Sequence, residues 1–168
     1  MLMKRSRLIT AVVVILILSL MTLLRNGIYA TEVSLYSDAV EKSPAKARPL
    51  NNLGDALRKA GNNREAAVYL ERALAIEPKY ADALNNLAMV YNSTGRKSEA
   101  LGLLLDTLRI KPDHLQARHN LAISYYEAGL RTEAEKQYRI IIEIDPASKE
   151  AAFARSMLLM LQAGSRGQ

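Results

Sequence analysis

From residue 47 onward, apolar side chains recur three and four positions apart, with charged and amide side chains between them. This spacing is typical of amphipathic helices, which bury one face and expose the other. Short polar stretches that contain Gly or Pro separate the apolar stretches at regular intervals. Because both residues end helices, the pattern predicts an all-α chain of short helices joined by turns.

The pattern repeats when the chain is aligned with itself at an offset of 34 residues, which gives three copies at 47–80, 81–114 and 115–148. Each copy has a proline near its end, a glycine in its middle, and Leu or Tyr at helical spacing. The aligned sets are Pro78, Pro112 and Pro146; Gly61, Gly95 and Gly129; Leu53, Leu87 and Leu121; Leu57, Tyr91 and Tyr125; and Leu70, Leu104 and Tyr138.

The aligned glycines and prolines predict where helices end. A left-handed glycine can close the first helix of each copy at no steric cost. Proline restricts the residue before it and lacks an N–H, so it ends the second helix. Small residues occupy two further positions, where paired helices must approach closely: Gly54, Ala88 and Ala122, and Ala66, Ala100 and Ala134.

These aligned residues resemble the pattern of the tetratricopeptide-repeat (TPR) family over residues 47–148. The resemblance implies an α-solenoid of antiparallel helix pairs, one pair per repeat, with the first helices on the concave face. Some positions depart from the pattern. Arg118 stands where Leu50 stands in the first copy, and Thr107 and Ile141 replace the small Ala73. We therefore expect the third repeat to pack less regularly.

Segments on both sides of the repeats predict capping helices, which solenoid ends require. Residues 35–44 match the second half of a repeat, and a capping helix is predicted over 31–46. A closing helix is predicted over 149–162, followed by a tail at 163–168. The closing helix has an apolar run that either packs onto the third repeat or contacts a second copy or partner: Met157, Leu158, Leu159, Met160 and Leu161.

Residues 8–24 form an uncharged apolar stretch of 17 residues. As a helix this stretch would be about 25 Å long, which approaches the thickness of the hydrocarbon core of a bilayer. It predicts one transmembrane helix before the solenoid. The segment 1–7 is basic, which predicts a cytoplasmic N-terminus. The repeats would then lie outside an inner (cytoplasmic) membrane, in the periplasm of a Gram-negative cell.

A cleaved signal peptide is the alternative interpretation of this segment, with a small-residue cleavage site near Ala30. The apolar stretch is long for such a peptide, whose apolar region commonly has about 7–15 residues. Both interpretations export the repeats.

The formal net charge is +6, but four cations flanking the apolar stretch account for much of it: Lys4, Arg5, Arg7 and Arg25. The remaining charges are interspersed and nearly balanced, so no nucleic-acid partner is predicted. The chain has no Cys and only two histidines, and it has no catalytic or phosphate-binding motif. His114, beside a turn proline, is expected to be solvated. We expect no enzyme activity, no cofactor and no metal.

An asparagine recurs at one position of each first helix: Asn52, Asn86 and Asn120. An amide both donates and accepts hydrogen bonds, so a row of amides can pair with the backbone of an extended peptide. The row resembles the asparagine ladder of the TPR superhelix in O-GlcNAc transferases. The alternative is that these asparagines support the scaffold. By helical spacing, the rest of the predicted groove is Arg48, Asn51, Asp55, Arg58, Asp82, Asn85, Met89, Asn92, Gln116, His119, Ile123 and Tyr126.

The predicted function is that of a membrane-anchored adaptor, whose concave groove binds a segment of a partner protein in an envelope complex. Two alternatives remain. The junction at residues 25–54 resembles TPR-tailed, multi-spanning glycosyltransferase-type membrane proteins, which implies an accessory or truncated relative that recruits acceptor. The other alternative is a scaffold that self-assembles through the apolar run of the closing helix.

Overall fold

The computed structural model describes the backbone of residues 2–165 and the side chains of residues 12–24, 27 and 31–163. This part of the chain forms helices and no strand. The eight helices are α1 (Leu2–Lys42), α2 (Ala47–Lys59), α3 (Asn63–Ile76), α4 (Ala81–Ser93), α5 (Lys97–Ile110), α6 (Leu115–Glu127), α7 (Arg131–Ile144) and α8 (Lys149–Ser165).

The helices α2 to α7 form three pairs, each joined by a turn of three residues. The pairs begin at Ala47, Ala81 and Leu115, which are the starts predicted from the repeat. Among the described helices, each first helix also contacts the next first helix along the chain, from α2 to α8, whereas successive second helices do not contact each other. The stack therefore curves, with α2, α4, α6 and α8 on its concave face.

Glycines close the first helix of each pair, as predicted. Gly61, Gly95 and Gly129 have φ values of 89°, 82° and 77°, in the left-handed region that favours glycine. At the first of these turns, the Gly61 N–H donates to the Arg58 carbonyl at 3.0 Å and the Asn62 N–H donates to the Leu57 carbonyl at 2.9 Å. These bonds satisfy carbonyls that the helix end would otherwise leave free.

The paired helices approach closely at Gly54. An added Cβ there would lie 2.6 Å from Leu70 Cγ and 3.3 Å from the Ala66 carbonyl oxygen. Leu70 is fully buried, so the space that glycine leaves is filled by the branched end of this side chain. The prediction of a small residue for close approach is therefore confirmed at this position.

The buried residues form two clusters that divide within α6, with Leu121 in the first cluster and Ala122 in the second. Arg118, also on α6, is only partly buried. Its guanidinium donates to Gln137 Oε1 at 2.8 Å and to the Pro112 carbonyl, while its Nε is buried without a partner. Burial lowers the pKa of Arg118. A cation thus stands in the third repeat where the first two repeats have a leucine.

The other two departures are accommodated inside the core. Thr107 and Ile141 are both fully buried at the position of Ala73. The Thr107 hydroxyl donates to the Leu103 carbonyl at 2.8 Å, so its polar group is satisfied within its own helix.

One continuous helix of 41 residues precedes the repeats, so the predicted apolar and capping segments are joined without a break. At its C-terminal end, Val33, Tyr36 and Val40 pack against the core that α2 contributes to. The helix ends at Lys42, two residues before Pro44. α1 therefore covers the open side of the first repeat, as a capping helix does.

No helix in the described part of the chain has a stretch that is both long and apolar enough to cross a membrane. The predicted transmembrane helix over residues 8–24 is therefore not found. Residues 8–11 of that segment lie outside the residues whose side chains are described.

The closing helix α8 packs onto the third repeat with one face of its apolar run. Leu161 is buried, and Met157 and Leu158 are partly buried against the second core cluster. Leu159 and Met160 remain 69% and 47% exposed. α8 extends to Ser165, beyond its predicted end, and the last predicted tail residues, 166–168, lie outside the described residues.

Substitution of Gly54 by Ala is expected to lower the free energy of unfolding by about 1–3 kcal/mol, because the new Cβ collides with Leu70 Cγ. Gly102, within α5, is the matched control, since a Cβ there would meet nothing within 4 Å. Gly102→Ala is expected to stabilise the protein by about 0.5–1 kcal/mol through the helix propensity of Ala. Chemical denaturation followed by circular dichroism measures the free energy of unfolding of both variants. Equal changes for the two variants would contradict this account.

Candidate functional site

The helices α2, α4, α6 and α8 present equivalent residues, spaced 34 positions apart, on the concave face. We call each set of four equivalent residues a row. Three rows change from polar to apolar side chains between α2 and α8, and we call them the graded rows. They are Asn51, Asn85, His119 and Phe153; Asp55, Met89, Ile123 and Met157; and Arg58, Asn92, Tyr126 and Met160. Each row begins with a polar or charged side chain and ends with an apolar one. These rows therefore place apolar side chains on the inner surface at the closing helix, where Lys149 and Glu150 also line it.

Three neighbouring cavities lie along this face. The N-terminal cavity, of about 380 Å³, is lined by Asn51, Asp55, Arg58, Lys59, Asp82, Asn85, Asn86, Met89 and Gln116. The central cavity, also about 380 Å³, is lined by Arg58, Met89, Asn92, Ser93, Asn120, Ile123, Ser124 and Glu127. The C-terminal cavity, of about 360 Å³, is lined by Met89, Gln116, His119, Asn120, Lys149, Glu150 and Phe153. Because Met89 lines all three, they form one continuous groove.

Amide side chains join consecutive first helices at the floor of this groove. Asn86 Nδ2 donates to Asn51 Oδ1 at 3.0 Å, and Asn120 Nδ2 donates to Asn85 Oδ1 at 2.9 Å. Asn85 is only 1% exposed, so its carbonyl oxygen depends on this partner. The predicted asparagine row thus contributes to the scaffold, since two of its members hold neighbouring repeats together.

The third repeat breaks this amide series. His119 occupies the position of Asn51 and Asn85, and its ring packs edge-on against Phe153 at a centroid distance of 4.7 Å. The next position of the asparagine row is Ala154 on α8, which cannot donate. His119 Nδ1 is consequently buried without a hydrogen-bond partner. Burial lowers the pKa of His119; Glu150 opposes this effect by raising the pKa, and Lys149 lowers it further.

Most charged side chains of the groove are paired with opposite charges of the protein, whereas Asp82 contacts the His114 ring. Asp55 pairs with Arg58 at 2.7 Å and with Lys59 at 2.9 Å. In the central cavity, Glu127 pairs with Lys97 at 2.9 Å. The C-terminal cavity has Lys149 and Glu150 at 3.8 Å from each other. The groove therefore has no strong excess of one sign of charge.

His114 is a correction to the sequence interpretation. It was expected to be solvated, but it is only 8% exposed. Its Nδ1 accepts from the Ala117 N–H at 3.2 Å and so caps α6. Its Nε2 lies 3.1 Å from Asp82 Oδ1 in the first turn of α4. The ring of this residue therefore lies between the first turns of α4 and α6 and contacts both helices.

Most of the predicted groove residues converge in these cavities. Arg48, Asn52 and Tyr126 are the ones that line none of the three. The groove predicted from the sequence ends at the third repeat, whereas α8 also lines it, chiefly with Glu150 and Phe153. The signal was available, because both lie one further 34-residue step along their rows.

The described residues include no group of three or more His, Asp or Glu side chains placed to hold a metal ion. The chemical resources of the groove are therefore amides, paired charges and apolar side chains. Such a surface is suited to hydrogen bonding and to burial of apolar groups.

Family models agree with the repeat geometry. A tetratricopeptide-repeat model matches residues 51–114, and a second one matches residues 114–142, so that together they cover just over half of the chain. The chain belongs to the tetratricopeptide-repeat family. No curated protein matches this TPR chain.

Solved structures share the fold of the TPR chain. MamA is 29% identical, with a TM-score of 0.61, and the match covers 68% of this chain and 67% of MamA. YrrB, described as a TPR protein with an unusual peptide-binding site, is 22% identical at a TM-score of 0.64, covering 77% of this chain and 67% of YrrB. The first TPR of Spaghetti (RPAP3), bound to the HSP90 peptide SRMEEVD, is 19% identical at a TM-score of 0.65. The match covers 72% of this chain and 94% of the Spaghetti chain.

Acid is expected to destabilise the TPR chain through His119. Its pKa is lowered in the folded state, so the unfolded chain binds the proton first as the pH falls below about 6.5. Neutral His119 therefore contributes fully to stability above about pH 6.5. This contribution is lost as the pH falls from there through the pKa of His119 in the folded protein. His119→Asn introduces the residue of the earlier repeats and cannot titrate. Melting temperatures measured from pH 8 to pH 5 should fall more steeply for the unmodified chain, and parallel curves would refute the assignment.

Proposed function

We propose that this TPR protein is an adaptor whose concave groove binds an extended segment of a partner protein. The observation that carries the proposal is the continuous row of cavities on the inner face, lined by amides that the scaffold itself holds in place. Fixed amides bind with less loss of side-chain freedom than mobile ones. YrrB and the Spaghetti domain, which share the fold, are described with a peptide-binding site and with a bound peptide.

The amide row can serve the scaffold and a ligand at the same time. A primary amide has two N–H groups and one carbonyl oxygen. The bonds between repeats use one N–H of Asn86 and one of Asn120. The second N–H and the oxygen of each amide can pair with the backbone of a peptide, which carries one donor and one acceptor per residue. Such binding would be largely independent of ligand side chains at these positions.

The test begins with selection of random peptides displayed on phage against the immobilised full-length chain. Selected peptides are then titrated by fluorescence anisotropy against Gln116→Trp, because Gln116 is exposed and lines two of the cavities. The bulky ring is expected to weaken binding at least about tenfold by filling the groove. Val68→Trp is the control, since Val68 is exposed on α3, outside the concave face. The affinity of Val68→Trp for the selected peptides should stay within about twofold of that of the unmodified chain.

Two results would overturn the proposal. One is a library that yields no peptide binding to the full-length chain. The other is a set of peptides that bind Gln116→Trp as tightly as the unmodified chain, which would place the binding site elsewhere.

We further propose that the apolar half of α1 tethers this adaptor to a membrane, with the repeats on the extracytoplasmic side. The support is the exposed apolar surface of residues 12–24, which includes Leu16, Leu20 and Leu23 at 57–69% exposure. These thirteen residues extend about 20 Å as a helix. A hydrocarbon core is about 30 Å thick, so a span would also need the apolar residues 8–11.

Membrane fractionation with alkaline carbonate tests the tether. The chain is expected in the membrane pellet, and Leu16→Asp with Leu18→Asp is expected to move it to the supernatant, because each central charge costs about 3 kcal/mol in a bilayer. Leu35→Asp, an exposed position nearer the repeats, is the control. Since the chain has no Cys, a single thiol from Lys79→Cys reports sidedness to a membrane-impermeant maleimide. Unmodified chain in the supernatant, or a thiol labelled only after lysis, would contradict the proposal.

A further inference from the structure

We propose that the groove selects partners by a bulky apolar side chain, which an extended peptide segment without a required charge places in the C-terminal cavity against Phe153. This inference rests on the peptide-binding function proposed above and specifies the chemistry of the ligand. It follows from three features: the direction of the graded rows, the exposure of their apolar ends, and the pairing of the charges around them.

The graded rows concentrate apolar surface at one end of the groove. Met89 and Ile123 line the central cavity, and Met89 continues into the C-terminal cavity beside Phe153. At the first repeat, the same rows present Asp55 and Arg58 instead. An apolar ligand side chain placed against Met89 and Phe153 would lose contact with water there.

Two of the graded rows end in an exposed apolar side chain, Phe153 and Met160, whereas Met157 at the end of the third row packs against the core. Phe153 is 40% exposed, and its ring contacts His119 on one side and lies 6.3 Å from the Tyr138 ring on the other. Met160 and Tyr126 are 47% and 37% exposed at the next row positions. The aromatic ring of Phe153 is thus held in place by its neighbours while one part of it stays free to contact a ligand.

Charge pairing argues against selection by ligand charge. Lys149 and Glu150 neutralise each other at the C-terminal cavity, and Lys97 neutralises Glu127 at the central one. A ligand carboxylate or ammonium would therefore meet charges that a neighbour of opposite sign already compensates. His119 adds no charge at neutral pH, since burial lowers its pKa. The complementary ligand is therefore neutral where it meets the apolar end.

The length of a suitable ligand follows from helix packing. Neighbouring first helices pack about 8–10 Å apart, and an extended peptide advances about 3.3 Å per residue. About three residues therefore span one repeat. A random segment of seven residues, about 23 Å long, is enough to reach from the N-terminal cavity to the C-terminal cavity.

The experiment uses a phage library of random seven-residue peptides, selected on the full-length chain. Enrichment of Leu, Ile, Met, Phe or Trp at one position is expected, and replacement of that residue by Ser should weaken binding at least tenfold. Phe153→Ser and Met89→Gln should each weaken binding of the selected peptide at least tenfold. Leu159→Ser is the matched control on α8, because Leu159 is 69% exposed and lines none of the three cavities. Circular dichroism checks that all variants fold. If Phe153→Ser does not fold, the affinity of Met89→Gln still tests the inference.

Salt dependence separates this inference from a charge-directed groove. Affinity is expected to change less than about twofold between 50 mM and 500 mM salt, because screening acts on charges and not on apolar contacts. Peptides enriched only in Asp, Glu, Lys or Arg, or binding that falls more than tenfold with salt, would overturn the inference. The proposed function would survive that outcome if Gln116→Trp still blocked binding. If no peptide bound at all, the proposed function itself would fail.

Discussion

Each helix pair in this chain leaves part of its apolar surface uncovered, and the first helix of the next pair covers it. Accordingly, α4 packs against α3, α6 against α5, and α8 against α7, while α1 covers the free side of α2. A repeat of this kind cannot be stable alone, because the apolar surface that the next first helix covers would face water. The curvature of the stack, the position of the groove and the need for both end helices all depend on this packing between repeats.

The same packing explains why polar groups are found deep in the structure. First helices approach each other closely enough for the Asn86 and Asn120 amides to bond the preceding repeat. A buried amide that lost its partner would cost about 1–3 kcal/mol, so these bonds favour one register between repeats. The groove is consequently a rigid surface whose lining is set by the scaffold. This is why one row of asparagines can be structural and still be available to a ligand.

The series of amides ends where the third repeat meets the closing helix. There the histidine and phenylalanine rings of His119 and Phe153 replace an amide pair, and an apolar contact replaces a hydrogen bond. The division of the core near Arg118 lies in the same region. The two ends of the solenoid therefore differ in chemistry although they are built on one repeat. This difference gives the groove a direction, which identical repeats would lack.

The sequence by itself determined the fold and its register. The 34-residue spacing of Gly61, Gly95 and Gly129 was sufficient to place the turns, because only glycine adopts their backbone conformation without strain. It also indicated which first-helix positions share a face, since helical geometry is local. Most of the groove positions that line the three cavities followed from that rule alone.

The tertiary structure decided what those positions do. Only the packing of one helix on another could reveal that Asn86 and Asn120 hold the scaffold together, that His114 is buried as a cap, and that α8 completes the groove with Phe153. It also joined the apolar and capping segments into one helix, α1. These facts depend on distances between residues far apart in the chain. A periodic pattern specifies which face of a helix a residue occupies, but the partner on the facing helix is fixed only when the repeats are stacked.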